Sequence, residues 1–432
     1  MTNNTRLFKK SLLAVTVALA SGQTLAAGFQ LNAQSATGIG RAFAGDAVIA
    51  DNAAVMARNP AAMALFDEKA LSLGFESITS MIEVKNAKYC GTTCQVVPNL
   101  SAPKDANYDD AGDTSIAPNI HFIIPVNDKF AWGINAYTNF GTKTEFPDSY
   151  VATEYGGLTD VKSANFGIAG SYRLNEQWSF GAGLDLIYGQ GTMKRKASGD
   201  VASIGGMELI NVDKADGWAV GFNLGTVFEL DESNRFGAAY HYSPEFEAED
   251  DKGQKITLPL PDIFEFSGFH KIEDTKFAVH YSVQWIGWSS FKEIQFRNLK
   301  GSPLGASYDK AYEWKDGWHY SIGGTYYLNN EWTLRAGYMY DTSAQDSLTS
   351  VSVPDSDRQW ISAGFTYHIN KKSNVDFGFT YLMGDDVKVN ESTPNPNYDP
   401  SVPANGPKNL STLTATTHAD AILFGLQYSR TF

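Results

Sequence analysis

Between 178 and 188 the apolar side chains occupy alternate positions. Trp178, Phe180, Ala182, Leu184, Leu186 and Tyr188 share one face, and Ser179, Gly181, Gly183 and Asp185 share the other. The same period recurs over 277–285, where Phe277, Val279, Tyr281, Val283 and Trp285 oppose Ala278, His280, Ser282 and Gln284. It recurs again over 375–383 and over 422–432. Successive side chains of a strand point to opposite faces, so each stretch predicts a strand with one greasy face and one small or polar face. Strands of soluble sheets usually stop near about 5–6 residues. These run to about ten or more, the length of a wall with lipid outside and a polar interior.

The connections set the number of strands. Short polar turns fall at 125–129, 174–177, 230–234, 272–274, 328–331 and 369–373. Longer stretches rich in Asp, Pro and Gly alternate with them, at 86–114, 141–159, 197–214, 248–261, 298–310, 343–356 and 391–416. Six short and seven long connections predict fourteen strands, with both chain ends on the short-turn side. In bacterial barrels short turns face the periplasm and long loops face outward. The expectation is an all-β chain, a fourteen-stranded antiparallel transmembrane β-barrel over 69–432, with Phe432 closing the last strand. No run of about 18 apolar residues interrupts this pattern, so no spanning helix is predicted in it.

The alternation fails ahead of the first strand. From Gly28 to Ala61 the chain is rich in Gly and Ala, with single large apolar residues at Phe29, Leu31, Phe43, Val55 and Met56. Small residues let a backbone turn and pack closely, and a segment of that kind before a barrel predicts a plug in the lumen, over 27–68. Before it, Arg6, Lys9 and Lys10 precede a short apolar core and the exit Thr24-Leu25-Ala26, which predicts a cleaved signal peptide over 1–26. Losing those three cations takes the formal charge from −14 to −17. So acidic a chain is a poor nucleic-acid binder.

Little in the sequence points to catalysis. Gly38 and Gly40 lack the preceding strand and third glycine of a dinucleotide loop, the seven His residues have no paired metal spacing, and no G-x-S-x-G elbow is present. Neither a metal nor a cofactor is expected. Cys90 and Cys94, in the first long loop, favour a disulfide outside the cytoplasm. Glu245, Glu247, Glu249, Asp250 and Asp251 read as a solvated acidic loop, with a cation site beside lipid phosphates as the alternative.

Gly28-Phe29-Gln30-Leu31-Asn32, Gly38-Ile39-Gly40-Arg41-Ala42 and Arg58-Asn59-Pro60-Ala61 resemble the start of the FadL family of outer-membrane long-chain fatty-acid transporters. Pro118-Asn119-Ile120-His121-Phe122, Tyr172-Arg173-Leu174-Asn175, Trp178-Ser179-Phe180-Gly181, Lys315-Asp316 and Pro354-Asp355-Ser356-Asp357-Arg358 extend the resemblance along the chain. It implies a monomeric, plugged barrel among outer-membrane lipid and lipopolysaccharide, with passive, ligand-gated uptake of long-chain fatty acids. The family's aromatic-hydrocarbon branch is the alternative; a general porin or an outer-membrane lipase is disfavoured. The resemblance also implies a basic pair that holds the ligand's carboxylate, at Arg195 and Lys315. Extending the strand parity from Trp178 and from Tyr320 turns both inward, and turns Lys194 and Lys196 outward. Asn59-Pro60-Ala61 is either a stiff corner or a ligand-responsive hinge. Asn139-Phe140-Gly141 is either a strand end or the bend that opens a lateral gap. The third long loop, about 197–214, is short for the family.

Overall fold

The computed structural model describes residues 28–432 except 33, 98–100, 203, 396 and 403–404. The leader expected over 1–26 lies outside the described residues. Among them, fourteen antiparallel strands close into one ring. The first seven are β1 (Ala70–Cys90), β2 (Thr114–Pro125), β3 (Phe130–Tyr137), β4 (Leu158–Arg173), β5 (Trp178–Lys196), β6 (Glu208–Glu229) and β7 (Asn234–Tyr242). The others are β8 (Ile263–Lys271), β9 (Phe277–Ile286), β10 (Gly317–Tyr327), β11 (Trp332–Asp341), β12 (Arg358–Asn370), β13 (Ser373–Gly384) and β14 (Asn409–Thr431). Each pairs with the next, and β14 returns to β1 with Thr431 opposite Ala70. Closure leaves the wall no free end strand, which a lipid environment requires.

Side chains follow the alternation. Phe180, Leu184 and Leu186 are exposed on the outer face, while Ser179 and Asp185 are buried within. The short turns are tied by their own polar residues. Asn127, Asn175 and Asn329 each accept two backbone N–H bonds from the start of the next strand, and Asp231 and Asn370 each accept one nearby. The long connections carry further pairing. Hairpins Glu245–Glu249 with Lys255–Pro259 and Glu293–Arg297 with Ser307–Ala311 join each other above the ring, and Val387–Pro394 extends along β14.

The ring departs from regularity beside β3. Its pairing with β2 ends at Ala136 opposite Ile120, so the 114–119 part of β2 is laddered to β1 only. Beyond the break, Gly141–Glu145 pairs with β4 alone. The gap is bridged farther out by the Glu145 N–H to the Ala111 carbonyl, 3.0 Å, and by a Lys143–Asp113 ion pair, 2.6 Å.

Residues 28–66 are buried almost throughout. They touch inward-facing positions around the ring: Ala36 and Gly40 lie at Gly364, Gly378 and Gly425, Arg41 at Gly337, Gly45 at His280, Ala47 at Gly237 and Met56 at Gly133. Three short helical turns shape the segment, each capped by a side chain: Ser35 caps Ala36–Ile39, Asn52 caps Ala53–Ala57 and Asn59 caps Pro60–Leu65.

Candidate ligand chamber

The N-terminal segment is bolted to the wall by charge as well as by shape. Arg41 reaches Asp46 and Asp51, both at 2.8 Å, and Arg335 of β11 approaches Asp51 at 3.2 Å. Arg58 pairs with Glu265 of β8 and donates to Asn32 at 2.6 Å. Such buried charges are tolerated because they are paired and hydrogen-bonded. The Gly28 N–H donates to Asp355, 3.2 Å away, and Asp355 also holds Arg358 at 3.0 Å.

Asn59-Pro60-Ala61 forms the corner before β1. The Asn59 side-chain Oδ1 accepts the Ala61 N–H at 3.0 Å, and its Nδ2 donates to the Ala47 carbonyl at 2.7 Å and the Thr226 carbonyl at 3.0 Å. Pro60 occupies the first helical position, where its missing N–H costs nothing. Gly225 makes room for this knot, since a Cβ there would stand 1.9 Å from the Asn59 oxygen.

Phe29 anchors the other end among Trp288 at 4.5 Å, Phe291 at 5.4 Å, Trp314 at 5.9 Å and Phe140 at 6.3 Å between ring centres. Asn139-Phe140-Gly141 turns inward to meet it. The Leu31 N–H donates to the Asn139 carbonyl at 2.7 Å, and the Gly141 N–H to the Phe29 carbonyl at 2.9 Å. The bend beside the wall gap and residues 29–31 are therefore one hydrogen-bonded unit. Next to it, Phe140, Met193, Phe246, Ile256, Leu258 and Ile294 line a narrow apolar cavity of about 30 Å³.

Two cations stand at the edge of this apolar cluster. Arg195 is buried on the inward face of β5, two residues beyond Met193. Its guanidinium donates to the Leu158 and Lys194 carbonyls at 2.7 and 2.8 Å and to the Thr159 hydroxyl at 2.6 Å. No carboxylate of the described residues pairs with it. Lys194 and Lys196 point outward, and Lys194 pairs with Asp213 at 3.0 Å.

Lys315 does not join Arg195. It is exposed, whereas its neighbours Tyr312 and Trp314 are buried among the aromatic residues. The parity extended from Tyr320 fails because β10 starts only at Gly317 and Glu313 has a left-handed backbone, φ 48°. The inward cation is Lys310, on the Ser307–Ala311 strand. Its ammonium lies 3.3 Å from Glu391 and 5.4 Å from the centre of the Tyr312 ring. Burial opposes the charge on Lys310, but Tyr312 and Glu391 outweigh it and raise its pKa. Tyr308, Tyr312 and Glu391 act electrostatically on both Arg195 and Lys310. Lys310 thus has a carboxylate partner in Glu391, and Arg195 has none among the described residues.

The remaining sequence candidates separate from the chamber. Cys90, the last residue of β1, and Cys94, in the helical turn that follows, are joined in a disulfide. Glu247 pairs with Lys255, and Asp250 accepts the Lys252 and Gln254 N–H groups, so part of the acidic stretch ties a turn. No cluster of His, Cys, Asp and Glu suited to a metal occurs among the described residues.

Residues 17–432 match the family model described as outer membrane protein transport protein (OMPP1/FadL/TodX). The chain belongs to this family. Among its curated relatives are a long-chain fatty acid transport protein of Salmonella typhi and outer membrane protein P1 of Haemophilus influenzae. The first is 35% identical over 89% of this chain and 94% of its own length; the second is 33% identical, covering 98% and 99%. A solved Pseudomonas aeruginosa FadL homologue superposes with a TM-score of 0.78 over 94% of this chain and 99% of its own, at 19% identity. The Pseudomonas putida toluene transporter TodX gives 0.64 over 96% and 100%, at 16% identity, a likeness of fold alone. As a member of the OMPP1/FadL/TodX family the chain is a transport protein of the outer membrane, not an enzyme.

Proposed function

We propose that this protein takes up long-chain fatty acids passively and is gated by the ligand itself. The observation that carries the reading is that two inward cations, Arg195 and Lys310, stand at the edge of an apolar cluster around Phe140, Met193 and Phe246. A long-chain acid is one carboxylate on a hydrocarbon tail, and such a ligand needs few, well-placed polar groups over an apolar pocket. The relatives named long-chain fatty acid transport protein, 34–35% identical, support the same substrate class. Ligand would arrive from the loop side, seat its tail against Met193, Phe246 and Leu258, and disturb the Phe29–Phe140 contact. The N-terminal segment acts as the plug, with Asn59-Pro60-Ala61 as its hinge. The wall gap beside Asn139-Phe140-Gly141 supplies a sideways exit.

Binding of oleate and of methyl oleate to the purified barrel tests this. Hydrogen bonds to charged groups contribute about 1.5–3 kcal/mol each, and about 1.4 kcal/mol is a factor of ten. Arg195→Ala with Lys310→Ala should weaken oleate by about tenfold or more and leave the ester nearly unchanged. Lys315→Ala should leave both as they are. Equal losses for acid and ester would refute a carboxylate site, and no loss for either would favour neutral hydrocarbons.

A further inference from the structure

Three of the long connections meet at one carboxylate. Glu391 lies on the Val387–Pro394 strand, and its side chain is only 10% exposed. Its Oε2 accepts the Val351 N–H at 3.0 Å, and its Oε1 accepts the Ser350 hydroxyl at 3.0 Å. Ser350 and Val351 are both buried, in the 343–356 connection, and beside them the Thr349 hydroxyl donates to the Lys388 carbonyl at 3.0 Å. These bonds fix Glu391 without any help from Lys310, which reaches it from the Ser307–Ala311 strand.

The ammonium is held less firmly. A charge-assisted N–H···O bond usually measures about 2.7–2.9 Å. Lys310 stands 3.3 Å from Oε1 and 3.5 Å from the Ser350 hydroxyl, with the Tyr312 ring centre at 5.4 Å. It has no other acidic partner among the described residues. Exchanging Glu391 for a different carboxylate would therefore cost Lys310 one long contact and leave the bonds to Ser350 and Val351 standing. A neutral ligand offers the ammonium nothing in return. The Glu391 charge also acts on Arg195, so it works against a second anion at either cation. We propose that Glu391 is the resident anion of the ligand site: it neutralises Lys310 until a ligand's carboxylate displaces it, and so sets how strongly acids are preferred to neutral ligands of equal length. This rests on the uptake reading above and names the residue that tunes it. A residue that only stapled the 343–356 stretch would act through its shape, and glutamine keeps an oxygen for the Val351 N–H.

Binding of oleate and methyl oleate to the purified full-length barrel separates charge from shape. Glu391→Gln should bind oleate about fivefold more tightly, the upper end for a partly exposed ion pair, and bind the ester as before. In a Lys310→Ala background most of that gain should vanish, because no ammonium is left to be freed. Heat-modifiable migration shows that each variant is folded. Unchanged or weaker oleate binding in folded Glu391→Gln, an equal gain for the ester, or a full gain without Lys310 would overturn the role. Arg195→Ala with Lys310→Ala tells the two failures apart. Weaker oleate binding there, beside no gain in Glu391→Gln, rejects the resident anion and keeps the carboxylate site; unchanged oleate binding there rejects both.

Discussion

Single residues decide how the N-terminal segment meets the wall, and glycine does so most directly. Inward glycines on β5, β6, β7, β11, β12, β13 and β14 are the surfaces on which residues 36–61 rest. The sequence displays these glycines as ordinary small residues on the polar face; which of them bear against the plug became visible only with the ring closed. Gly225 is the sharpest case. Gly225→Ala would force Asn59 to release its bonds to Ala47 and Thr226, and an orphaned buried polar group costs about 1–3 kcal/mol. The expected outcome is rapid tryptic cleavage after Arg58 in a variant that still migrates as a folded barrel. Continued protection of Arg58 would show that the knot is not what holds the segment. Arg195 could be placed from sequence because β5 keeps its alternation without a break as far as Lys196. Lys310 could not, because a left-handed residue at Glu313 resets the parity between its strand and β10.

At the scale of elements, pattern was a dependable guide wherever hydrogen bonds run uninterrupted. The strand count and the six short turns could be read because lipid on one side and polar groups on the other enforce the period of two. The long connections were harder to read. Their hairpins at 245–259 and 293–311 alternate like wall strands, yet they pair above the ring. The inward turn at Asn139-Phe140-Gly141 depends on Phe29, more than a hundred residues away, so local sequence held both of its readings open. The Cys90–Cys94 disulfide belongs to a single loop tip. Since the wall's stability lies in its closed ladder, Cys90→Ser with Cys94→Ser should leave heat-modifiable folding intact. Loss of the folded band on gels would show that the loop matters to assembly.

For the molecule as a whole, a closed ring of strands surrounds a buried N-terminal segment, which on the proposed reading keeps the passage shut at rest. The segment's Arg41, Asp46, Asp51 and Arg58 form a charged layer across the lumen, tied to the wall through Arg335 and Glu265. Deleting about 28–58 should therefore raise single-channel conductance in planar bilayers and admit small hydrophilic solutes; unchanged conductance would mean that the segment does not close the lumen. The motif residues at the contacts of the N-terminal segment were legible, as Asn59-Pro60-Ala61 and Asp355 stand there. The charge network was not, because its partners come from distant strands. The most direct measurement of the central claim is uptake of labelled oleate into vesicles bearing the reconstituted barrel. The unaltered protein and Lys315→Ala should import at the same rate, and Arg195→Ala with Lys310→Ala should import far more slowly at limiting oleate. Import by that double variant at the unaltered rate would contradict a carboxylate-reading, ligand-gated channel.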